Sequence, residues 1–550
     1  MVLPRMSLTR SVVKEFASRT PIEANLPALK AINAELAQKF TFSDLDVEVR
    51  KDINDLFVTQ FDSASPAYQS ALLELVRILC RDKTGVNLLF SDALVEKVLQ
   101  AGGIFPGRPV ANFNVVTEAV KCLVNALFNS VVARSVFEAK CEGQLVARIE
   151  TILEFLKASS ISADGDAAYT FPADFEFLKE GSRKAIEDLL FFDLRIAFVS
   201  SAHSIELQRK WVENNEKAKV FLDVLSFATK IAPIPPTSKN FEYATEALKI
   251  LFNVYCHASM FDVDFAQTVA NECARIVLNH DFDDDLKQNA VHLIATMPCC
   301  MPALCPLLGE EEAGTTTKIF EGYDMRFVDA LLEVLARKVD KTGKEEVDLL
   351  STFFTTLIYL CKNHKAARRF CRLKVIPPLR ASHVEHPPDE GVTLRNKIVR
   401  LMLSPTNLRD LAGEFLFVLC KRSVSRLIKY TGFGHSAGLL ANYGFLGSIN
   451  EQKRESDSEA SDMEDYKEVE DKVNPVTGYI IPPQENPLDN MSEAQKEFEA
   501  MKLANAMNRL LDEGVFQPAS VGPDGKPRPV SHVNELVKDI PDENSDSDSD

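Results

Sequence analysis

Apolar residues recur at helical spacing through most of this chain. Between residues 22 and 446 they fall into segments of helical length, such as 71–79 and 119–128, the second of which ends in Phe128 on its apolar face. Alternating runs typical of strands are almost absent from this interval. Such segments bury their apolar faces by packing helix on helix, so the pattern predicts an all-α fold.

A short motif within these helices is repeated. The segment 118–125, EAVKCLVN, returns at 246–253 as EALKILFN, an offset of 128 residues. Three repeats of about 43 residues span this offset, and that period is typical of armadillo and HEAT repeats. Related segments occur at 71–80, 192–200, 286–297, 353–361 and 411–420. We predict an armadillo/HEAT-like right-handed α-solenoid over 1–446, with an irregular all-helical domain as the alternative.

The acidic charge of the chain is concentrated in its tail. The net charge is −18, and residues 447–550 hold 25 acidic against 10 basic residues, a net charge of −15. A near-neutral body followed by an acidic tail differs from the net basic face of a nucleic-acid binder, so no nucleic-acid partner is expected. Residues 447–491 are acidic and Pro-rich, which predicts a flexible linker, and 514–550 are predicted to be a disordered acidic tail.

Between these two segments, residues 492–513 have the pattern of an amphipathic helix. Ser492 followed by Gln495 is a capping-box pattern, and Gly514 is a stop signal. The apolar stripe between them consists of Phe498, Met501, Leu503, Ala504, Met507, Leu510 and Leu511. Such a face is buried either on the helical body or on a partner.

The chain lacks the motifs of an enzyme that makes or breaks covalent bonds. It has no P-loop, no Rossmann glycine fingerprint, no nucleophile elbow and no His-Glu-x-x-His motif. The 11 cysteines lie mostly in apolar stretches, and Cys299, Cys300 and Cys305 lack the spacing of a tetrahedral zinc site. We therefore expect no catalytic residue, no metal, no cofactor and reduced thiols.

Neither secretion nor membrane insertion is expected. Residues 1–16 carry charges every few positions and lack the apolar core of a signal peptide. No run of 18 apolar residues occurs in the chain. The expected location is the cytoplasm.

Polar side chains recur at one position of the repeated helices. In a stacked array, equivalent positions of successive repeats line up along the concave face. We predict that this row binds a partner, and its members are Arg77, Arg81, Lys121, Asn125, Lys249 and Asn253. The alternative is a row of asparagines that cap neighbouring helices beside a solvated basic face.

Longer motifs resemble the synembryn family. The most specific read LRNKIVRLM (394–402), EFLFVLCK (414–421), SVSRLIKYTGFG (423–434) and AGLLA (437–441). Further matches are ILCRDK at 78–83, VIPPLR at 375–380, NPVTG at 474–478 and EAMKL at 499–503. The resemblance covers nearly the whole chain and departs from the family pattern at Lys421, Arg422 and His435.

The resemblance implies a guanine-nucleotide exchange factor and chaperone that acts by binding. Such a protein would bind GDP-bound or newly made heterotrimeric G-protein α subunits, promote GDP release, hold the nucleotide-free subunit until GTP binds, and assist folding. By the same resemblance, four members of the concave row would receive the C-terminal helix of the α subunit, namely Arg77, Arg81, Lys121 and Asn125. Phe498, Met501 and Leu510 of the tail helix would clasp its nucleotide-binding domain. A monomer is expected, cytoplasmic with recruitment to the cell cortex.

Two tail serines have the sequence context of casein-kinase-type enzymes. Ser456 is followed at its third position by Glu459, and Ser461 by Glu464, and both look like the family's activating phosphosites. A phosphate adds about −1.5 to −2 charge and would dock on a basic run within 362–374. The predicted docking residues are Lys365, Arg368, Arg369 and Arg372. The alternative is an unmodified acidic spacer.

A second class of protein uses the same repeats. Scaffolds of the importin or catenin type bind extended peptides on armadillo repeats without exchange activity. They usually carry tryptophans along the groove, whereas this chain has Trp211 as its single tryptophan. The exchange factor is therefore the favoured hypothesis, and the scaffold is the alternative.

Overall fold

Two compact helical units make up the chain, residues 1–300 and 301–550. The computed structural model describes residues 8–108, 110, 112–161, 169–309, 318–341, 347–447, 464–482, 491–515 and 517–530. Helices dominate both units, and the prediction of an all-α, armadillo/HEAT-like solenoid is confirmed.

The helices of the first unit mostly begin at a polar cap. A side-chain oxygen accepts an N–H of the first turn at Ser91, Asn112, Ser130, Ser182, Ser204, Asn214, Ser238, Asp262 and Asp283. The α-helices are α1 Arg10–Ser18, α2 Leu26–Leu36, α3 Val47–Gln60, α4 Pro66–Leu79, α5 Val86–Leu89, α6 Asp92–Ala101, α7 Phe113–Asn129, α8 Val131–Lys140, α9 Glu142–Ile161, α10 Arg183–His203, α11 Ile205–Glu213, α12 Asn215–Ala228, α13 Lys239–Cys256, α14 Val263–Leu278 and α15 Asp284–Ala295. Short 3-10 helices are Ile22–Asn25, Phe61–Ser63, Ala173–Glu180 and Pro298–Leu304.

One set of helices forms a continuous row in this unit. Each member packs on the next, in the order α2, α4, α7, α10, α13 and α15. The repeated motif lies in α7 and in α13, and α10 stands between them. The offset of 128 residues therefore spans two steps of the row, where three were predicted, because the 20-residue α9 and the segment after it lengthen the first step.

Within the described residues, no single helix is long and apolar enough to cross a membrane. The helices α7 and α8, which meet at a bend of 116°, have the length and apolar composition of a membrane span only when taken together.

The second unit contains the other elements of the described residues. Its α-helices are α16 Arg326–Lys341, α17 Ser351–Asn363, α18 Lys365–Val375, α19 Leu394–Met402, α20 Leu408–Leu419, α21 Val424–Thr431, α22 Phe433–Asn442, α23 Glu464–Lys467 and α24 Glu493–Asp512. Its 3-10 helices are Val347–Leu350, Ala381–Val384 and Glu470–Lys472. Two antiparallel pairs of short strands join β1 Ile319–Phe320 to β2 Tyr323–Asp324 and β3 Ala519–Val521 to β4 Pro527–Pro529. Helix α20 packs against α17, α18 and α19 and is central to this unit.

Part of the predicted linker is folded, which corrects the expectation for residues 464–482. Tyr466 is buried, and Asp465 Oδ2 accepts a hydrogen bond of 3.2 Å from the backbone N–H of Ala381. The aromatic ring supplies apolar area that the composition of the segment as a whole did not suggest. Residues 448–463 and 483–490 of the predicted linker lie outside the described residues.

The NPVTG motif explains how this segment is attached. The carbonyls of Pro475 and Val476 accept hydrogen bonds of 2.8 Å from the backbone N–H groups of Phe433 and Gly434. These two N–H groups belong to the first turn of α22, where a helix leaves its donors unpaired. The tail therefore caps a helix of the body.

The last described segment also differs from the expectation of disorder. Residues 517–530 form the β3–β4 hairpin, and the backbone N–H of Leu446 donates to the carbonyl of Gly525 at 3.3 Å. The rest of the predicted tail, 531–550, lies outside the described residues.

Candidate functional site

The polar row predicted from the repeats lies on helices of the continuous row in the first unit. Arg77 belongs to α4, Lys121 to α7 and Lys249 to α13. The structure adds a fourth cation, Arg195 of α10, which occupies the corresponding place between α7 and α13. We call the surface defined by Arg77, Lys121, Arg195 and Lys249 the ladder face.

Glutamates of neighbouring helices hold the first two cations of the ladder face. Arg77 Nε donates to Glu118 Oε1 across the α4–α7 junction, and its Nη2 lies 3.3 Å from Glu74 Oε1. Lys121 Nζ lies 3.6 Å from the other oxygen of Glu118. The glutamate therefore fixes an arginine of the preceding helix and a lysine of its own helix.

The same arrangement recurs at the α10–α13 junction. Arg195 Nη1 lies 2.6 Å from Glu246 Oε1, and Lys249 Nζ lies 3.4 Å from the same atom. Glu246 is the residue that matches Glu118 in the repeated motif. Two copies of one arginine–glutamate–lysine cluster thus explain why this motif is repeated.

The asparagines of the row bind the backbone of the preceding helix. Asn125 Nδ2 donates to the carbonyl of Arg77 at 3.2 Å, in the last turn of α4, where carbonyls have no partner within the helix. Asn253 is 8% exposed, and its Nδ2 donates to Phe198 O at 3.3 Å and to Ser201 Oγ at 3.0 Å. Asn125 thus has the capping role given above as the alternative, whereas Asn253 joins α13 to the interior of α10. Burial removes Asn253 from the partner-binding set.

Arg81, just beyond the end of α4, makes the corresponding contact with α2. Its Nη1 donates to Ala37 O at 2.6 Å, and its guanidinium carbon lies 5.3 Å from the centre of the exposed Phe40 ring. The side chain thus closes the α2–α4 junction and keeps an aromatic ring at the surface.

An apolar patch lies at the end of α7. Phe128, expected on the buried face, is 57% exposed, and its ring packs edge-on against His203 at 5.7 Å between centroids. Val131 and Ile205, which begin the helices that follow Phe128 and His203, are also exposed. Burial lowers the pKa of His203, and the charges of Arg134 and Lys83 lower it further. This surface therefore combines apolar side chains with nearby cations.

The predicted tail helix is present as α24. Ser492 Oγ accepts from Gln495 N at 3.3 Å and Gln495 Oε1 accepts from Ser492 N at 3.0 Å, so the predicted capping box is formed. Its apolar stripe is open to solvent: Phe498 is 66% and Met501 62% exposed, and Leu510 is also exposed. No residue of α24 is buried.

The predicted phosphate-docking residues are spread around α18. Lys365 is exposed, Arg368 Nη1 donates to Cys361 O at 3.5 Å, and Arg369 Nη1 lies 2.6 Å from Glu321 Oε1. Arg372 is 8% exposed, so its burial removes it from the predicted docking set. Ser456 and Ser461 lie outside the described residues.

The described residues contain no group of three or more His, Cys, Asp or Glu side chains arranged to hold a metal ion. Paired cations, exposed aromatic and aliphatic side chains and an amphipathic helix instead provide surfaces suited to binding protein segments.

Comparison with known proteins yields one consistent result. The family model described as guanine nucleotide exchange factor synembryn matches residues 72–526. The chaperone ric-8 of Caenorhabditis briggsae is 37% identical over 516 residues, which cover 88% of this chain and 89% of that protein. The chaperone Ric-8A of Gallus gallus is 31% identical over 557 residues, which cover 96% of both chains. This chain therefore belongs to the synembryn (Ric8) family of guanine nucleotide exchange factors and chaperones.

Proposed function

We propose that this protein binds GDP-bound or newly made heterotrimeric G-protein α subunits, promotes release of GDP and holds the nucleotide-free subunit until GTP binds. It also assists folding of the α subunit. Membership of the synembryn family supports the exchange and chaperone roles. The observation that carries the proposal is the open apolar face of α24, because a capped helix that exposes Phe498 and Met501 needs a partner to bury them.

The ladder face is the surface proposed to receive the C-terminal helix of the α subunit. Lys121 and Lys249 are 38% and 36% exposed, and glutamates hold both ammonium groups in place. Cations fixed in this way are ready to meet acidic side chains with little loss of side-chain entropy. The apolar patch at Phe128 and Ile205 would accept the apolar side chains of the same helix.

Exchange then follows from binding alone. If the protein binds the nucleotide-free α subunit more tightly than the GDP-bound form, GDP must bind the complex more weakly by the same factor. A coupling free energy of about 1–3 kcal/mol corresponds to a loss of GDP affinity of roughly 5- to 150-fold. No catalytic side chain is needed for this step.

Tail phosphorylation is proposed to regulate this binding. A casein-kinase-type enzyme would modify Ser456 and Ser461, and the phosphates would dock on Lys365, Arg368 and Arg369 of α18. Docking would order the tail and position α24. Charge reversal of the exposed Lys365 should remove the effect of phosphorylation and leave the activity of the unphosphorylated protein unchanged.

The test is single-turnover release of GDP from a purified inhibitory-class α subunit. Wild-type protein should accelerate release several-fold and form a stable nucleotide-free complex, and Phe498→Asp with Met501→Asp should lose most of the acceleration. The matched control is Glu497→Gln in the same helix, which should behave as wild type. A complex without acceleration would restrict the function to folding, and the absence of any complex would favour the peptide-binding scaffold.

A further inference from the structure

A pair of adjacent cysteines ends the first unit and has no part in the proposed client binding. Cys299 and Cys300 lie in the 3-10 helix Pro298–Leu304, and their sulfur atoms are 3.9 Å apart. All 11 cysteines of the chain are among the described residues, and Cys299 is the exposed one. Cys300, by contrast, is fully buried. An accessible thiol therefore lies next to a protected one.

We propose that Cys299 and Cys300 form a redox-active vicinal dithiol, with Cys299 as the thiol that reacts with peroxide and Cys300 as the thiol that resolves the product. The Cys299 sulfur attacks one peroxide oxygen, the O–O bond breaks, and a sulfenic acid and water result. The Cys300 sulfur then attacks the Cys299 sulfur, the S–O bond breaks, and the hydroxide leaves as water with the Cys300 proton. Two thiols thus give two electrons and two protons to the peroxide, and a disulfide and two waters form.

The environment of the two sulfurs fits this division of roles. Burial raises the pKa of the Cys300 thiol to about 12, and the charge of the Cys299 sulfur and their hydrogen bond add to the shift. Cys300 is therefore a protonated thiol at neutral pH. Conversion of Cys299 to a neutral sulfenic acid removes the charge of the Cys299 sulfur as one of these causes, so the Cys300 thiol becomes easier to deprotonate in the second step.

The geometry indicates a bond that is readily reduced. Adjacent α-carbons are about 3.8 Å apart, below the roughly 4.4–6.8 Å of ordinary disulfides. The sulfurs must also approach from 3.9 Å to about 2.05 Å, which rotation of the exposed Cys299 side chain can begin. A strained, accessible disulfide has a high reduction potential, as expected of a reversible modification rather than a structural cross-link.

The pair is positioned to affect the ladder helices. Tyr255 of α13 is buried, and Cys300 is one of the groups that raise its pKa, so the two side chains are neighbours. Tyr255 lies two residues after Asn253, which holds α13 to α10. Movement of the Cys300 sulfur would therefore be felt at the end of a helix that carries the ladder face.

The test uses the full-length reduced protein treated with hydrogen peroxide, followed by mass spectrometry of the tryptic peptide 288–318. We expect this peptide to lose the mass of two hydrogens and to regain it with dithiothreitol. The peptide also contains Cys305, so the same loss must persist in Cys305→Ala and disappear in Cys299→Ser. In Cys300→Ser, Cys299 should accumulate as a sulfenic acid that dimedone traps.

Two results of the peroxide experiment would overturn the proposal. One is a wild-type peptide whose Cys299 advances to sulfinic acid without loss of the two hydrogens, and the other is a loss that vanishes in Cys305→Ala. A second probe is phenylarsine oxide, which requires two neighbouring thiols. The untreated protein should bind one equivalent and Cys299→Ser none, whereas equal binding by the two proteins would contradict a paired dithiol.

Discussion

Arg148 and Asp193 form an ion pair from which solvent is excluded. Both side chains are fully buried, Arg148 Nη2 lies 2.5 Å from Asp193 Oδ1, and Nε donates to Oδ2 at 2.9 Å. Nη1 of the same arginine donates to the carbonyl of Gly102, at the end of α6. One guanidinium thus joins α9 to α10 and to the end of α6. Each of its three nitrogens has a hydrogen-bond or ion-pair partner.

The first prediction concerns this pair. Arg148→Met should lower the free energy of unfolding by about 3–5 kcal/mol, because Asp193 would be left as a buried charge without a partner. Arg148→Met with Asp193→Leu should recover most of that loss. Urea unfolding followed by the fluorescence of Trp211, a buried tryptophan of the same unit, measures both. A double variant as unstable as the single one would contradict the argument.

The second prediction tests the ladder face. Lys121→Glu with Lys249→Glu should weaken binding of a G-protein α subunit roughly tenfold or more, since two cations that face the client would become acidic. Both lysines are partly exposed, so the free energy of unfolding should change by less than about 1 kcal/mol. Arg209→Glu, an exposed reversal on α11, is the matched control. Unchanged affinity, measured by calorimetry, would place the client elsewhere.

The third prediction separates the structural role of Asn253 from client binding. Asn253→Ala should reduce the free energy of unfolding by about 1–3 kcal/mol, because the carbonyl of Phe198 and the hydroxyl of Ser201 lose a buried donor. The client affinity of the folded variant should be unchanged, since Asn253 is buried. Asn271→Ala, at an exposed position of α14, should change stability by less than about 0.5 kcal/mol. Client affinity that falls only in Asn253→Ala would restore a direct binding role.

The fourth prediction is a pH dependence at Asp82. Its carboxylate accepts hydrogen bonds from Phe42 N at 2.6 Å and Thr84 N at 2.8 Å. The bond from Phe42 N–H lowers the pKa of Asp82, with help from Thr84 and Arg50 and against the effect of burial. A depressed pKa stabilises the fold above the unfolded value of about 3.9, and that contribution is lost as pH falls through the lower, folded value.

Asp82→Asn should therefore be less stable than wild type by roughly 1.5–3 kcal/mol at neutral pH, and the difference should shrink below about pH 4. Urea unfolding at a series of pH values measures it. Asp44→Asn, an exposed neighbour, is the control and should show no such trend. A difference between wild type and Asp82→Asn that is constant from pH 7 to 3 would show that the charge of Asp82 does not matter.

Local features of this fold could be predicted from the sequence. The capping box at Ser492 is formed by groups three residues apart. The repeated motif reflects the arginine–glutamate–lysine cluster, which occurs twice in the chain. Helical periodicity identified the all-α class because one turn of helix is visible in any short window.

Features that depend on distant residues were missed. Arg195 belongs to the ladder face because it pairs with Glu246, which lies 51 residues further along the chain. Its own helix does not show the motif, since Phe192 stands where α7 has Glu118. The similarity of residues 192–200 to the repeats was the one sequence feature that could have indicated Arg195. The folding of 464–482 likewise depends on N–H groups of α22, which no property of the tail reveals. Arg372 shows the opposite case, since a basic run does not tell which of its members the tertiary fold buries.

The cations of the ladder face are already paired with glutamates, and this determines how salt affects the affinity for a partner. Arg77, Lys121, Arg195 and Lys249 already lie between 2.6 and 3.6 Å from a glutamate of their own unit. An incoming carboxylate would exchange one ion pair for another, and few mobile counterions would be released. Affinity should then vary little with ionic strength, unlike that of a face of unpaired cations, whose attraction is strongly screened. Recognition at such a surface depends mainly on the fit between the two chains and only weakly on the salt concentration.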